Sequence, residues 1–346
     1  MQSHHFGKLP TGETVEMILL ENDSGGSIRV ITLGGIVTSL CVPDRNGRTA
    51  DVVLGFDCLE PYVAGHPYFG AITGRVAGRI PGGCFTINGK TFQLAQNDGS
   101  NHLHSGLRGL DKRIWHSERV TRTDGADSIR LTYRSPDGEE GYPGTVDFSI
   151  TYTLTGNNTF IIESEATSDC LTPVSLTHHS YFNLAGEGTR EIHDHELAVF
   201  ADKAFAVDHD MTPLGRLESV AGRPHDFTSP RQLGEAIPHL FQNHGDLYLL
   251  RQPANGGLVP AARLADPSSG RILTVSTTES CLQVYTGASL DGSLTGKSSQ
   301  PYRRHAGICL ECEGYPGAVD CPEFGSILVE PGIPMRHVTH YAFSVD

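Results

Sequence analysis

The feature that most limits how this chain can fold is a strict apolar–polar alternation that returns along much of its length. It is plain at residues 27–33, 128–133, 145–152 and 271–277. Side chains on a strand point to opposite faces in turn, so each stretch reads as a strand with one buried face. Turn chemistry bounds these stretches: Arg45-Asn46-Gly47, Asn88-Gly89, Pro136-Asp137-Gly138 and Thr155-Gly156-Asn157-Asn158. Glycine supplies 40 of the 346 residues, about 12% against a usual ~7%. Many strands joined by tight connections predict an all-β chain, a large antiparallel sandwich. One helix is expected, short, over residues 229–237, with Pro230 near its first turn. No repeat or Ser/Pro-rich linker divides the chain, so one domain over residues 1–346 is expected.

Charge narrows the partners. The formal net charge is −14, from 40 acidic and 26 basic residues, which disfavours nucleic acid and anionic membrane surfaces. No stretch approaches the roughly 20 apolar residues that span a bilayer. The opening MQSHHFGKLPTGE lacks an apolar core behind a basic start, so no secretory leader is expected and the expected setting is the cytoplasm. Composition leaves open a monomer or a homodimer. The eight cysteines are expected as small apolar groups rather than a disulfide framework. Cys309 and Cys312 have the spacing of half a zinc site, but no second pair follows. On a strand the two thiols would also face opposite ways. No metal is expected.

Four Gly-flanked segments break the alternation. They are residues 74–80 (GRVAGRI), 97–106 (NDGSNHLHSG), 177–186 (THHSYFNLAG) and 309–316 (CLECEGYP). Side chains this polar are costly to bury alone, so they form a satisfied network or line a wet cleft. In their order, with LQVYTGASLDG at 282–292 between the third and the fourth and LVEPG at 328–332 after the last, they resemble the aldose 1-epimerase (galactose mutarotase) family. The resemblance runs from about residue 10 to the C-terminus. It implies an antiparallel β-supersandwich, a free monosaccharide substrate and no cofactor. It also implies His179 as general acid and Glu311 as general base. His104, Arg79, Gln283 and Asp246 are implied as sugar-binding residues.

The chemistry needs such a set. Anomer exchange removes a proton from the C1 hydroxyl and adds one to the ring oxygen, so it requires one base and one acid, each expected to titrate near neutral pH. Histidine starts near 6.5, whereas a glutamate near 4.3 must be raised. Glu311 and Glu313 would share one face of a strand, and the second charge is expected to help raise the first; the alternative is that Glu313 points to solvent. Adjacent His178 and His179 should face opposite sides, so at most one enters the site, and the same reasoning is applied to His104 against His102. Arg75 is expected to be structural. Tyr181, Phe182, Tyr285 and Trp115 are candidates for stacking on sugar, although strand aromatics mostly fill cores.

The chain departs from the family pattern at Gly78 and His178, where Asn is common, and at Glu313-Gly314, where Gln-Asn is common. Leu247 and Tyr248 also follow Asp246 in place of His and Asn. These changes bear on which sugar is taken rather than on the acid–base pair. No additional basic cluster offers to hold a sugar phosphate. Two other classes compete. A glycoside hydrolase would pair two carboxylates across the cleft, leaving the histidines idle. A non-catalytic sugar-binding module would need no matched acid and base.

Overall fold

The alternating segments become strands. The structure is a computed structural model that describes residues 3–123, 125–209, 211–240, 245–253 and 256–346; Met1 and Gln2 of the opening stretch lie outside the described residues. The later three stretches fall on strands Asp127–Ser135, Val146–Leu154 and Arg271–Thr277. The first ends early, at Ile31, because Gly34 and Gly35 take positive φ (64° and 57°) and turn the chain. Asn88 and Gly89 (φ 51° and 75°) form the two-residue hairpin that joins Cys84–Ile87 to Lys90–Gln93. Both central residues of such a turn are left-handed, which Asn-Gly adopts most readily.

Three sheets dominate, and all their pairings are antiparallel. The first has five strands in sequence order, from Ser3–Lys8 to Thr49–Asp51. The second has nine strands, with Thr159–Ser168, Met335–Val345 and Arg271–Thr277 adjacent at its middle. The third has six, in the order Tyr181–Phe182, Ile308–Glu313, Cys281–Tyr285, Gly245–Leu249, Lys203–Val207 and Pro213–Ser219. One large apolar core joins them. It brings Ile129, Phe148, Ile150, Leu273 and Tyr341 of the nine-stranded sheet against Ile18 and Ile28 of the first sheet and Leu282 and Leu310 of the third. This is a face-to-face sandwich with interdigitated inner faces.

The outer face of the six-stranded sheet positions the cleft. Along Ile308–Glu313, residues 308, 310 and 312 enter the large core. Cys309 joins a second cluster with Tyr181, Phe69 and Tyr302. A third cluster, with Leu247, Cys281 and Tyr315, covers the same outer face further along. Glu311 and Glu313 open between the two clusters.

Two expectations change. The helix expected over 229–237 is delayed, because Arg231 and Gln232 pair with Leu197 and Glu196 as an edge strand. Helix begins only at Leu233–Ala236 and tightens to a 3₁₀ turn at Ile237–His239. So short a helix has little stability of its own, and open strand-edge groups capture its first residues. The cysteines are all free, but only Cys281, Cys309 and Cys312 are buried, and Cys58 is exposed. Among the described residues no helix is long and apolar enough to cross a membrane.

Candidate active site

Register across the six-stranded sheet builds the cleft floor. Leu247 pairs with Gln283, and Gln283 pairs with Glu311, so the three lie in one row on one face. Glycine at 245 leaves room for the Gln283 amide, since a Cβ there would lie 2.0 Å from Gln283 Nε2 and push that side chain aside. Glu313 follows Glu311 on the same face. Together with Arg79, His104, His179 and Tyr285 these residues line a cavity of about 320 Å³, of a size suited to a small molecule.

His179 lies between two short strands. Thr177–His178 pairs with Ile72–Thr73, and Tyr181–Phe182 pairs with Cys309 and Ile308. Its backbone N–H donates to Ala71 O, and its carbonyl accepts from Gly70 N–H. The ring is thereby held with Nε2 3.5 Å from Glu311 Oε2 and Nδ1 3.5 Å from Cys309 Sγ. Tyr181 and Tyr68 both stack on the imidazole, with centroids 5.1 and 5.6 Å away and planes 22° and 23° off parallel. His104 meets it edge-on at 5.3 Å. His104 Nδ1 accepts from Gly78 N–H at 3.2 Å, which leaves the proton of a neutral ring on Nε2.

His178 and His179 divide as alternation predicts, and His102 and His104 part because the strand ends at Leu103 and His104 takes a left-handed backbone (φ 49°). His178 enters the core among Tyr152, Phe160 and Tyr341 and bonds Ser180 Oγ at 2.8 Å. His102 bonds Ala95 O through Nδ1 at 2.7 Å and packs on Tyr142. Arg75 is buried and structural, donating to Ser135 Oγ and to the carbonyls of Ser135, Pro136 and Pro143. Arg79 lines the cleft and is held by Asp98 at 2.6 Å. Of the aromatic candidates, Tyr181 and Tyr285 line the cleft, whereas Phe182 and Trp115 belong to the core.

Asp246 does not join this group. It pairs with Val284, a core residue, and lies on the face opposite Leu247 and Gln283. Its carboxylate stands 3.7 Å from His225 Nδ1. The strand's alternation therefore gives Leu247, not Asp246, to the cleft. Sequence reasoning also missed Tyr68, which lines the cavity with a left-handed backbone (φ 60°). No pattern in its neighbourhood announces it. Asp98, the partner of Arg79, lies within a polar segment that was legible, but its pairing was not.

Electrostatics in the cleft follow burial. Burial lowers His179 to about 4, so the expected titration near neutral pH is replaced by a strongly depressed one. Stacked rings and the absence of a close counter-charge other than Glu311 disfavour the imidazolium. Burial likewise pushes His104 well down. Glu311 is pushed up, chiefly by burial, with the Arg79 guanidinium opposing. Glu313 is pushed well up by burial first and by the charge of Glu311 second. Burial is the main cause for each carboxyl, and as neighbours on one face each also disfavours the other's charge. Glu313 does not point to solvent, being 1% exposed. His104, His179 and Glu311 also bring potential metal-ligand atoms within 4.8 Å of one another.

A buried imidazole and carboxyl 3.5 Å apart in a polar cleft are groups able to exchange a proton, and the fold around them is an antiparallel β sandwich. Residues 16–342 match the family model described as aldose 1-epimerase. The galactose mutarotase of Sus scrofa is 43% identical over 342 residues, covering 98% of this chain and 97% of that protein. The aldose 1-epimerase of Escherichia coli K12 is 31% identical over 344 residues, covering 97% of each. Among solved structures, an aldose epimerase homologue from C. elegans superposes with a TM-score of 0.87 at 28% identity, covering 96% of this chain and 99% of that one. The chain belongs to the aldose 1-epimerase family, and it is an isomerase.

Proposed function

We propose that this chain interconverts the α and β anomers of a free aldose such as galactose or glucose, with His179 and Glu311 moving the protons. The observation that carries this reading is the 3.5 Å approach of His179 Nε2 to Glu311 Oε2 on the cleft floor. Burial disfavours charge on either group, so the pair holds one proton across neutral pH. That proton passes from Glu311 to His179 when substrate is bound. His179 then protonates the ring oxygen while Glu311 takes the proton of the C1 hydroxyl, and the C1–O5 bond breaks. The aldehyde turns about C1–C2. On closure O5 returns its proton to His179, and Glu311 returns the other to the former carbonyl oxygen. No electron or group leaves the sugar, so no cofactor enters the balance.

Arg79, His104 and Gln283 are the groups that hold the sugar, His104 as a neutral Nε2–H donor. Asp246 is placed to brace the strand from behind rather than to touch the sugar. Tyr285 and Tyr181 offer apolar walls to a pyranose face. The cleft draws its walls from segments between residue 67 and residue 316, which supports one domain acting as a unit. A glycoside hydrolase would set a carboxylate opposite Glu311, where the structure has a histidine.

Saturation-transfer NMR or polarimetry on fresh α-D-galactose and α-D-glucose tests the activity, with Glu311→Gln as control. Acceleration by the wild type and its loss in the variant are expected. No acceleration across a panel of aldoses would sink the reading.

A further inference from the structure

Glu313 is a second acid in the cleft for which the anomer-exchange steps have no use. It is 1% exposed, lines the cavity, and its Oε2 has no hydrogen-bond partner. Its space depends on Gly78, where φ is +75° and a Cβ would lie 3.0 Å from Glu313 Oε1 and 2.4 Å from Pro316 Cγ. A side chain at 78 would therefore crowd the Glu313 carboxyl. Among the described residues lining the cleft, the carboxyls of Asp98, Glu311 and Glu313 share one guanidinium, Arg79, and Arg79 is already held by Asp98 at 2.6 Å. Without a cation beside it the buried Glu313 carboxyl keeps its proton, and a bound cationic donor would let it ionise and would use its free oxygen.

We propose that Glu313 is a specificity-determining residue that receives a ring ammonium, so that the cleft takes 2-amino-2-deoxy aldoses in preference to their neutral counterparts. The inference rests on the mutarotase reading, which places the anomeric hydroxyl at Glu311. Same-face residues two apart on a strand are about 6.6 Å apart, and both side chains line the one cavity, so Glu313 meets the sugar beside C1, at the substituent on the neighbouring carbon. A hydroxyl there supplies a donor. An ammonium supplies a donor and the missing charge, and charge-assisted hydrogen bonds are roughly twice as strong as neutral ones.

The test compares kcat/KM for mutarotation of galactosamine, N-acetylgalactosamine and galactose by saturation-transfer NMR, using the full chain. In the wild type galactosamine should exceed N-acetylgalactosamine by about tenfold or more, a difference readable without any variant. The galactosamine-to-galactose ratio should fall about tenfold in Glu313→Gln and be largely kept in Glu313→Asp, which retains the charge. A wild type that handles the amine no better than its N-acetyl form would overturn the inference. So would a galactosamine-to-galactose ratio that survives in Glu313→Gln. Galactose turned over without amine preference defeats this inference alone, whereas failure on every sugar defeats the mutarotase reading and this inference with it.

Discussion

The phenol ring of Tyr181 lies nearly parallel to the imidazole of His179, with centroids 5.1 Å apart and 22° between planes. Tyr68 stacks on the same imidazole at 5.6 Å, and these contacts keep water from the ring. Desolvation of this kind penalises the charged form, which accounts for the fall of His179 to about 4. Tyr68 is the less buried of the two stacked rings, and Tyr68→Ala should open the imidazole to solvent. The expected result is a rise of the His179 pKa by roughly one unit or more toward the free value. Titrating the histidine ring signals by NMR checks it; an unchanged value would show that stacking is not the cause.

The pH dependence of kcat/KM has a definite sign. A pair that must hold one proton loses function when it gains a second or loses its only one. Gain of the second occurs at His179, near 4; loss of the only one is set by the raised Glu311. Activity should therefore stay level as pH falls through 6.5 and decline only as pH approaches about 4, with an alkaline decline above neutrality. An acid limb centred at the free histidine value would contradict the burial described here.

A steric prediction concerns position 245. Gly245→Ala places a Cβ 2.0 Å from Gln283 Nε2, whereas His179 and Glu311 lie on other segments of the chain. KM should rise by about tenfold with kcat within about threefold, the signature of lost sugar binding. Steady-state kinetics on galactose decide it, and an equal fall in kcat would show that the strand itself had shifted.

Arg75 and Arg79 should part company under substitution. Arg75→Ala leaves the carbonyls of Ser135, Pro136 and Pro143 without their donor. That should cost about 3 kcal/mol of stability or more, read from denaturant midpoints. Arg79→Ala should cost about 1 kcal/mol or less, because its ion pair with Asp98 is partly exposed. Its effect should fall on KM. Similar stability losses in the two variants would refute the division.

The sheets were legible because strand periodicity is local, as at residues 271–277, where expectation and strand coincide. The sides taken by His178 and His179 followed from the same periodicity. Asp246 shows the limit. Which face of Gly245–Leu249 meets the cleft depends on its register with Gln283, a contact 36 residues distant that no local pattern encodes. Tyr68 escaped for a similar reason, because a left-handed loop residue obeys neither period. The raised Glu311 was expected, but the depressed His179 was hidden, since it comes from burial by segments remote in the chain. The helix at 229–237 failed where an unseen sheet edge competed for Arg231 and Gln232.

The main-chain pairing of Tyr181 with Cys309 has an evolutionary corollary. His179 and Glu311 each lie two residues from that rung, so their separation is inherited from the backbone ladder and not from the side chains that surround the sugar. The wall residues Gly78, Leu247 and Glu313 sit outside that rung. A lineage can therefore exchange them and explore new sugars while the spacing that opens the ring is passed on unaltered.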